Sequence, residues 1–554
     1  MTKDAIIECV PNFSEGRDME KIRDITSQIE MVEGVRLLDV DPGKATNRTV
    51  VTFIGNPDSV IEAAFQAIKK ASEVIDMRTH KGEHPRMGAT DVCPLIPVSG
   101  ITMKDTAAYA VKLGDRVGSE LRIPVYLYEH AQENEARKNL SVIRAGEYEG
   151  FFKKIKLEEW KPDFGPDEFS PTSGATVIGV RDFLVAYNVN LNTTSVRRAN
   201  AVAFDIREAG RKIRNVKGEE IVKPGTLKSV KAIGWFIKEY GIAQVSINLT
   251  NINITPVHVA FDECVKCAEY RGMRVTGSEL VGLIPLQAML DAGKYFLRKQ
   301  QRSAGVSEEE LVKTAIRSLG LNALSPFDPG KKIIEFLLRD EAQKPLIKMN
   351  LQKFADETAS ESPAPGGGSI AAYIGSLGAS LAVMVANLSS HKKGWEEQWE
   401  EFSVWAEKGQ LLKDELLKLV DEDTRAFNRI MESFSLPKSN EEEKANRSSA
   451  IQHSTLSAIE VPLRVMEVAC ESFDVIMAMA KKGNPNSVSD AGVGALCARS
   501  AVLGGYLNVT INLAGLKDEA LKKKFADNAE MLKEQAISQE NEVLKIVMDK
   551  INTL

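Results

Sequence analysis

The chain has 554 residues, more than one hydrophobic core can organise, so several domains are expected. Apolar residues make up 43% and charged residues 27%, a globular balance that excludes general disorder. Lys and Arg number 71 against 77 Asp and Glu, a net charge of −6, which argues against non-specific binding to nucleic acid or an anionic membrane. Six scattered cysteines and no evident leader lead us to expect a cytoplasmic setting without a disulfide scaffold.

Residues 5–10 read as a strand, followed by turn-rich 11–16. Residues 35–40 and 49–54 are short β-branched runs with a polar loop, 41–48, between them. Residues 59–75 carry apolar side chains at helical spacing, and 125–128 read as another strand. The pattern then restarts: strand 183–189, helix 196–209, strand 243–249, helix 255–269, strand or turn 274–281, helix 285–297. Two such passes predict two subdomains that meet near residues 174–181, each with helices on one face of a sheet. After Gly330 the strand signals stop. Helices are predicted at 353–358, 369–390, 398–432, 441–470, 473–481, 489–513 and 517–549. The expected architecture is therefore multidomain. An α+β half comprises sheet-plus-helix subdomains 1–178 and 179–328. A linker at 329–348, interrupted by Pro329-Gly330 and Pro345, leads to an all-α helical bundle at 349–554. Residues 362–390 carry no charge, which superficially fits a membrane span. Their Pro-Ala-Pro-Gly-Gly-Gly opening and Ala/Gly/Ser content favour a buried bundle helix.

The residues able to carry chemistry gather in a few places. His80-Lys-Gly-Glu-His84-Pro-Arg86-Met-Gly88 holds two of the six histidines, with Asp91 just beyond. Imidazole suits proton transfer near neutral pH. Gly82 and Pro85 disfavour the helix that a His-x-x-x-His zinc site needs. Asp39, Asp41, Asn47 and Arg48 form a second cluster. A third is the glycine-bounded loop 165–174 at the expected junction, where ligand walls commonly form. Each loop alone reads equally well as plain connection. Cys264-x-x-Cys267 has no second pair, which argues against zinc. The run Gly366, Gly367, Gly368, Ser369 lacks the strand and Gly-Lys-Ser/Thr of a nucleotide loop. A glycine run opening a helix still exposes N–H groups that suit an anion such as a carboxylate. In Asp421-Glu422-Asp423, one aspartate is expected to turn inward with Leu416 and Phe427, where an unpaired carboxylate is costly. Surface helices also carry such acids routinely.

Several segments, in order, resemble glutamate formimidoyltransferase: Glu8-Cys-Val-Pro-Asn-Phe-Ser-Glu-Gly16, Leu38-Asp-Val-Asp41, Thr46-Asn-Arg-Thr49, the His80 to Gly88 run, Asp91-Val-Cys-Pro94, Ile143-Arg-Ala-Gly-Glu-Tyr-Glu149 and Pro162-Asp-Phe-Gly-Pro166. In the second half, Ala364-Pro-Gly-Gly-Gly-Ser369, Leu419-Val-Asp-Glu-Asp423 and Asn508-Val-Thr-Ile-Asn-Leu513 resemble formimidoyltetrahydrofolate cyclodeaminase. The order of the halves matches the bifunctional formimidoyltransferase–cyclodeaminase family over nearly the whole chain. The helical motifs are less specific, because methenyltetrahydrofolate cyclohydrolases share that domain.

The resemblance implies two steps of histidine breakdown. A formimidoyl group passes from N-formimidoyl-L-glutamate to N5 of tetrahydrofolate. The product then closes to 5,10-methenyltetrahydrofolate with loss of ammonia. It also implies His84 as the catalytic histidine of transfer and Asp423 as the catalytic aspartate of cyclisation. The folate-lining loop becomes Gly165, Pro166, Asp167, Glu168, Phe169, Ser170, Pro171, Thr172, Ser173 and Gly174, matching the family at Gly165, Pro166, Phe169, Pro171 and Gly174. Tetrahydrofolate, free or polyglutamylated, is the expected co-substrate, with no metal. Beyond small molecules and further copies of the chain in a homo-oligomer, no nucleic acid or membrane partner is expected.

The chemistry is consistent with these residues. N5 must lose a proton as it attacks the amidine carbon, and the departing glutamate nitrogen must gain one. A histidine with a pKa near 7 can do both. Both substrates carry carboxylates, so an acidic protein needs local cations; Arg48 and Arg86 are the candidates, with Asp41 beside them. The apolar helix after Gly368 should raise the Asp423 pKa by desolvation. Two other readings stand: a cyclohydrolase-like second half, or a non-catalytic oligomerisation module.

Overall fold

The computed structural model describes residues 5–214, 219–338 and 345–553. Seven strands form the first sheet: β1 (Ile6–Cys9), β2 (Asn12–Phe13), β3 (Val35–Gly43), β4 (Arg48–Gly55), β5 (Thr90–Ser99), β6 (Val125–Glu129) and β7 (Thr176–Val180). β1 and β2 follow one another between β4 and β5 and pair with both. β3 lies outside β4. β7 pairs parallel to β5 on one side and to β6 on the other, whereas every other pairing in the sheet is antiparallel.

Side chains of Asp18, Asn56 and Thr102 cap the helices Met19–Glu30, Pro57–Val74 and Met103–Glu120. These helices bury Ile25, Ile29, Val60, Phe65, Ile68, Leu113 and Val117 against Ile7, Phe53, Leu95 and Ile178 of the sheet. At about 1.5–3 kcal/mol for each fully buried large apolar side chain, this layer dominates the subdomain's stability. A smaller core is built from Met87, Val92, Tyr126, Ile143, Phe151 and Val177, with Phe169 packed on it.

Two expectations need correction here. β3 continues through Asp39 and Asp41 to Gly43, so only residues 44–47 turn, not 41–48. The junction expected near 174–181 falls at the end of that range, because Thr176–Val180 is a fully buried interior strand of the first sheet and the second sheet begins at Val185. The loop 165–174 therefore leads into that strand from within the first subdomain. A five-residue strand buried along its whole length has no alternation to reveal it.

The second sheet is antiparallel throughout, in the order β11-β12-β8-β13. Its strands are β8 (Val185–Leu191), β11 (Val230–Ile237), β12 (Ile242–Leu249) and β13 (Val275–Val281). β9 (Arg211–Arg214) and β10 (Glu220–Lys223) form a separate pair. Helices Val196–Ile206 and Val257–Tyr270 pack with this sheet, burying Ala199, Val202, Ile206, Ala260 and Cys264.

Two compact units account for the chain: Met1–Ala292 with Ala315–Leu338, and Gly293–Thr314 with Arg339–Leu554. The segment Gly293–Thr314 groups with the helical body. Lys294 and Arg298 pair with Glu407, and Asn387 and Gln410 donate to the Gly305 carbonyl. Of the expected linker, Pro329–Lys332 and Ile334–Leu338 form short helices, and 339–344 lie outside the described residues.

The second unit contains the long helices Gly367–Ser390, Trp399–Ser435, Glu441–Lys482, Val488–Leu513 and Glu519–Ile551. Glu441–Lys482 is continuous, where two helices had been expected at 441–470 and 473–481. The Ser472 hydroxyl satisfies itself on the Val468 carbonyl, and Phe473 is fully buried, so the register carries through. Gly367–Ser390 packs against three of the other helices, and 61% of its most apolar window is buried. Its small residues permit close approach: a Cβ on Gly378 would stand 2.8 Å from the Gly494 carbonyl oxygen.

Candidate active sites

In the first unit, segments far apart in sequence are woven together around His80. The His80 Nε2–H donates to the Asn47 carbonyl at 2.8 Å, and its Nδ1 accepts from Arg86 Nε at 3.2 Å. Asn47 in turn accepts the Gly16 N–H at 3.0 Å and donates to the Lys81 carbonyl at 3.1 Å. Gly82 lies so close to the Thr46 carbonyl that a Cβ would stand 2.1 Å from its oxygen. Ser14 donates to the Gly88 carbonyl. The motifs around residues 14, 47 and 80 are thus one construction, and His80 is its locked, neutral keystone.

His84 differs. Its Nδ1–H donates to the Pro85 carbonyl at 2.7 Å, and its Nε2 lone pair has no hydrogen-bond partner among the described residues. Burial, with Arg48 and Arg144 adding to it, pushes the imidazole down to about 3 rather than the expected value near 7. The group is therefore a neutral base in the free site. The charges around it centre on Asp91, which is fully buried. Arg48 Nη1 and Arg144 Nη2 both donate to its Oδ2, the latter at 2.7 Å, and Oδ1 accepts the Met87 N–H at 2.9 Å. Burial alone would raise this carboxyl, but the two arginines override it and hold Asp91 down to about 2.

The expected cations separate in the structure. Arg48 stands in the Asp91 hub. Arg86 is committed to the protein: Glu149 holds it bidentately at 2.6 and 2.9 Å, Glu147 lies at 3.2 Å, and His80 takes the rest. Arg86, Glu147 and Glu149, together with Lys81, Gly82 and Gly146, line an open cavity of about 520 Å³. Asp41 is engaged elsewhere, accepting the Gly282 N–H at 3.0 Å with Lys332 at 3.9 Å.

The far end of the loop 165–174 meets the histidine segment. Ala89 N–H donates to the Ser173 carbonyl, Ala175 N–H to the Met87 carbonyl, and Gly88 bridges Gly174. Thr172 accepts the Met77 N–H, Ser170 accepts the Gly174 N–H, and Pro171 accepts the Tyr148 hydroxyl. Phe169 packs on Tyr148, Phe151 and Phe152. Gly165 folds against Gly118. Asp167 and Glu168 stay exposed, and Pro166 is half-buried.

In the second unit, Asp423 faces the start of the helix Gly367–Ser390. Ser369 Oγ donates to Asp423 Oδ2 at 2.9 Å and also lies 3.3 Å from Thr424 Oγ1. A Cβ on Gly368 would stand 2.1 Å from Asp423 Oδ1, so only glycine leaves room for this carboxylate. The glycine run expected to hold an anion thus receives the chain's own carboxylate beside Gly366 to Ser369. Burial raises the Asp423 carboxyl above the ordinary aspartate value, partly offset by the Ser369 donors. Asp421 points elsewhere. It is buried, accepts the Leu346 N–H at 3.0 Å, and its Oδ2 has no partner among the described residues. Leu416 is buried as expected, but Phe427 is 40% exposed and lies outside the core.

The α+β half and the helical half also match known families in this order. The models of the formiminotransferase domain's N-terminal subdomain, the formiminotransferase domain and formiminotransferase-cyclodeaminase match residues 6–181, 186–339 and 350–531. Against the formimidoyltransferase-cyclodeaminase of Gallus gallus, the chain is 43% identical over 532 residues, 96% of each protein. The chain belongs to the formimidoyltransferase-cyclodeaminase family. It is also 41% identical to the glutamate formimidoyltransferase of Thermoplasma acidophilum over 314 residues, 56% of this chain and 99% of that protein. With the methenyltetrahydrofolate cyclohydrolase of Methylorubrum extorquens it shares 36% identity over 202 residues, 36% of this chain and 97% of that protein. The family's first two matched spans divide between β7 and β8, where the two sheets divide.

Sequence reasoning passed over Arg144, the hub role of Asp91, and the clamp of Glu147 and Glu149 on Arg86. One signal was available for Asp91: an acid set in the apolar strand run after Thr90 must find cations.

Proposed function

We propose that the chain carries out both activities of its family in sequence, with His84 and Asp423 as the separate proton-transfer groups. In the first step N5 of tetrahydrofolate attacks the amidine carbon of N-formimidoyl-L-glutamate. His84 Nε2 takes the N5 proton and returns it to the glutamate nitrogen, whose bond to carbon then breaks. A neutral histidine is the form this role requires, and the free Nε2 is the observation that carries the reading. The loop 165–174 lines the folate site, and Arg48 supplies a cation to the anionic substrates.

In the second step N10 attacks the formimidoyl carbon. The formimidoyl group reacts as its protonated amidinium, so the attack leaves a neutral amino group. Asp423 relays the N10 proton to that group, the carbon–nitrogen bond breaks to release ammonia, and cationic 5,10-methenyltetrahydrofolate remains. An aspartate whose pKa is raised by burial is suited to accept and give back that proton. We also propose that the reactions serve histidine breakdown in the cytoplasm, that tetrahydrofolate is used free or polyglutamylated, and that the chain works as a homo-oligomer. A coupled assay with formimidoylglutamate and tetrahydrofolate tests the reading. Ammonia and methenyl absorbance should rise together. The likeness to a cyclohydrolase makes a second outcome specific: hydrolysis of supplied methenyltetrahydrofolate without ammonia release from the formimidoyl compound would favour a cyclohydrolase in the helical half.

A further inference from the structure

The Asp91 hub is out of balance. One fully buried carboxylate faces two guanidinium groups, which leaves an excess positive charge beside the His84 segment. Arg48 has its Nε satisfied by Asn12 Oδ1 at 3.1 Å, but the Nε of Arg144 is buried with no partner among the described residues. An enclosed cation with an unfilled donor is costly until an anion completes it. Met87, whose N–H fixes Asp91, is only three residues beyond His84.

We propose that Arg144, backed by Arg48 and Asp91, binds the α-carboxylate of the formimidoyl donor and determines the transferase's specificity for it. The inference rests on the transferase reading above. In the donor, the carbon bearing the α-carboxylate is bonded directly to the nitrogen that leaves, and His84 must reach that nitrogen. The γ-carboxylate is two methylenes further away, and the glutamyl tail of folate lies beyond an aminobenzoyl ring from N5. An anion site next to the proton-shuttling imidazole therefore suits the α-carboxylate. Seating that charge would also cancel the excess at the hub, so His84 would gain basicity as the donor arrives.

The test uses the full chain, Arg144→Gln and Arg144→Lys, and two donors: formimidoylglutamate and 4-(formimidoylamino)butanoate, which lacks only the α-carboxylate. Wild type should favour formimidoylglutamate by about 10²-fold or more in kcat/KM, because an unmatched buried cation rejects the shorter donor. Arg144→Gln should lose about that factor on formimidoylglutamate and little on the analogue, with the KM for tetrahydrofolate unchanged. Loss of the cation should also move the acid limb of transfer to higher pH. Arg144→Lys should keep part of the preference, and it carries the same comparison if the Gln variant does not fold. Cyclisation of supplied 5-formimidoyltetrahydrofolate reports that the rest of the chain is intact. Unchanged discrimination in the variants, or a raised KM for tetrahydrofolate in place of lost donor preference, would overturn the inference alone. A wild-type chain that releases no glutamate would bring down the transferase reading and this inference together.

Discussion

The two candidate sites are built in opposite ways. The His84 site is woven from loops: segments near residues 14, 47, 84, 144 and 173 meet through backbone and side-chain hydrogen bonds and one buried ionic hub. The Asp423 site needs only two helices, a carboxylate in the interior of Trp399–Ser435 and a glycine-opened N-terminus facing it. The loop site gains its rigidity from many polar contacts around a charge. The helical site gains it from packing so tight that no side chain fits at Gly368. The electrostatics diverge accordingly. Burial beside cations keeps a histidine neutral in one site, and burial against a glycine-opened helix start raises an aspartate in the other.

Five substitutions test that contrast. His84→Ala should lower the rate of formimidoyl transfer by about 10²–10⁴-fold, the usual contribution of a general acid–base group. Because His84 is held down to about 3, it stays unprotonated as pH falls from 8 to 5. A rate profile in the free-enzyme regime should show its limb only below about pH 4, and a limb near 6.5 would mean the hub does not act as described.

Asp423→Asn keeps size and hydrogen-bonding capacity but cannot shuttle a proton. Ammonia release should slow by roughly 10²-fold or more while 5-formimidoyltetrahydrofolate accumulates. Asp421→Asn is the control, since Oδ1 can still accept the Leu346 N–H. If it proves the slow variant instead, the assignment within the pair is reversed.

Gly368→Ala drives a methyl group into the Asp423 carboxylate. We expect cyclisation to fall by about 10-fold or more from the misplaced carboxylate, with transfer untouched. Full activity would mean that the close approach has no bearing on the chemistry. The smallest effect is on stability. Asp421→Ala strands the buried Leu346 N–H and should cost about 1–3 kcal/mol in denaturant unfolding of the helical unit, with cyclisation per folded molecule retained.

The same contrast explains what the sequence made legible. Contiguous motifs rich in Gly, His and Arg betrayed the loop site, and the α+β and all-α halves followed from where β-branched runs stop. The loop's neighbours were harder to place. Thr176–Val180 is buried along its whole length and carries no alternation, so this central strand had no signal of its own inside the range where the subdomains were expected to meet. Arg144 was visible in a quoted motif, but its role depends on a carboxylate 53 residues away. Asp41 and Arg86 have the right chemistry for a substrate. Only the fold shows that Gly282, Lys332, Glu147 and Glu149 already engage them. In the helical half, spacing alone made Asp421 and Asp423 alternatives. Asp421 is buried against Leu346 and Asp423 is half-buried against Ser369.

One chain thus carries two chemically independent proton-transfer sites. The most direct measurement takes His84→Ala and Asp423→Asn side by side, each given formimidoylglutamate with tetrahydrofolate and, separately, 5-formimidoyltetrahydrofolate. The account predicts a crossed pattern: His84→Ala releases no glutamate yet cyclises the supplied intermediate, and Asp423→Asn releases glutamate yet no ammonia. A folded variant of either kind that loses both activities would contradict it.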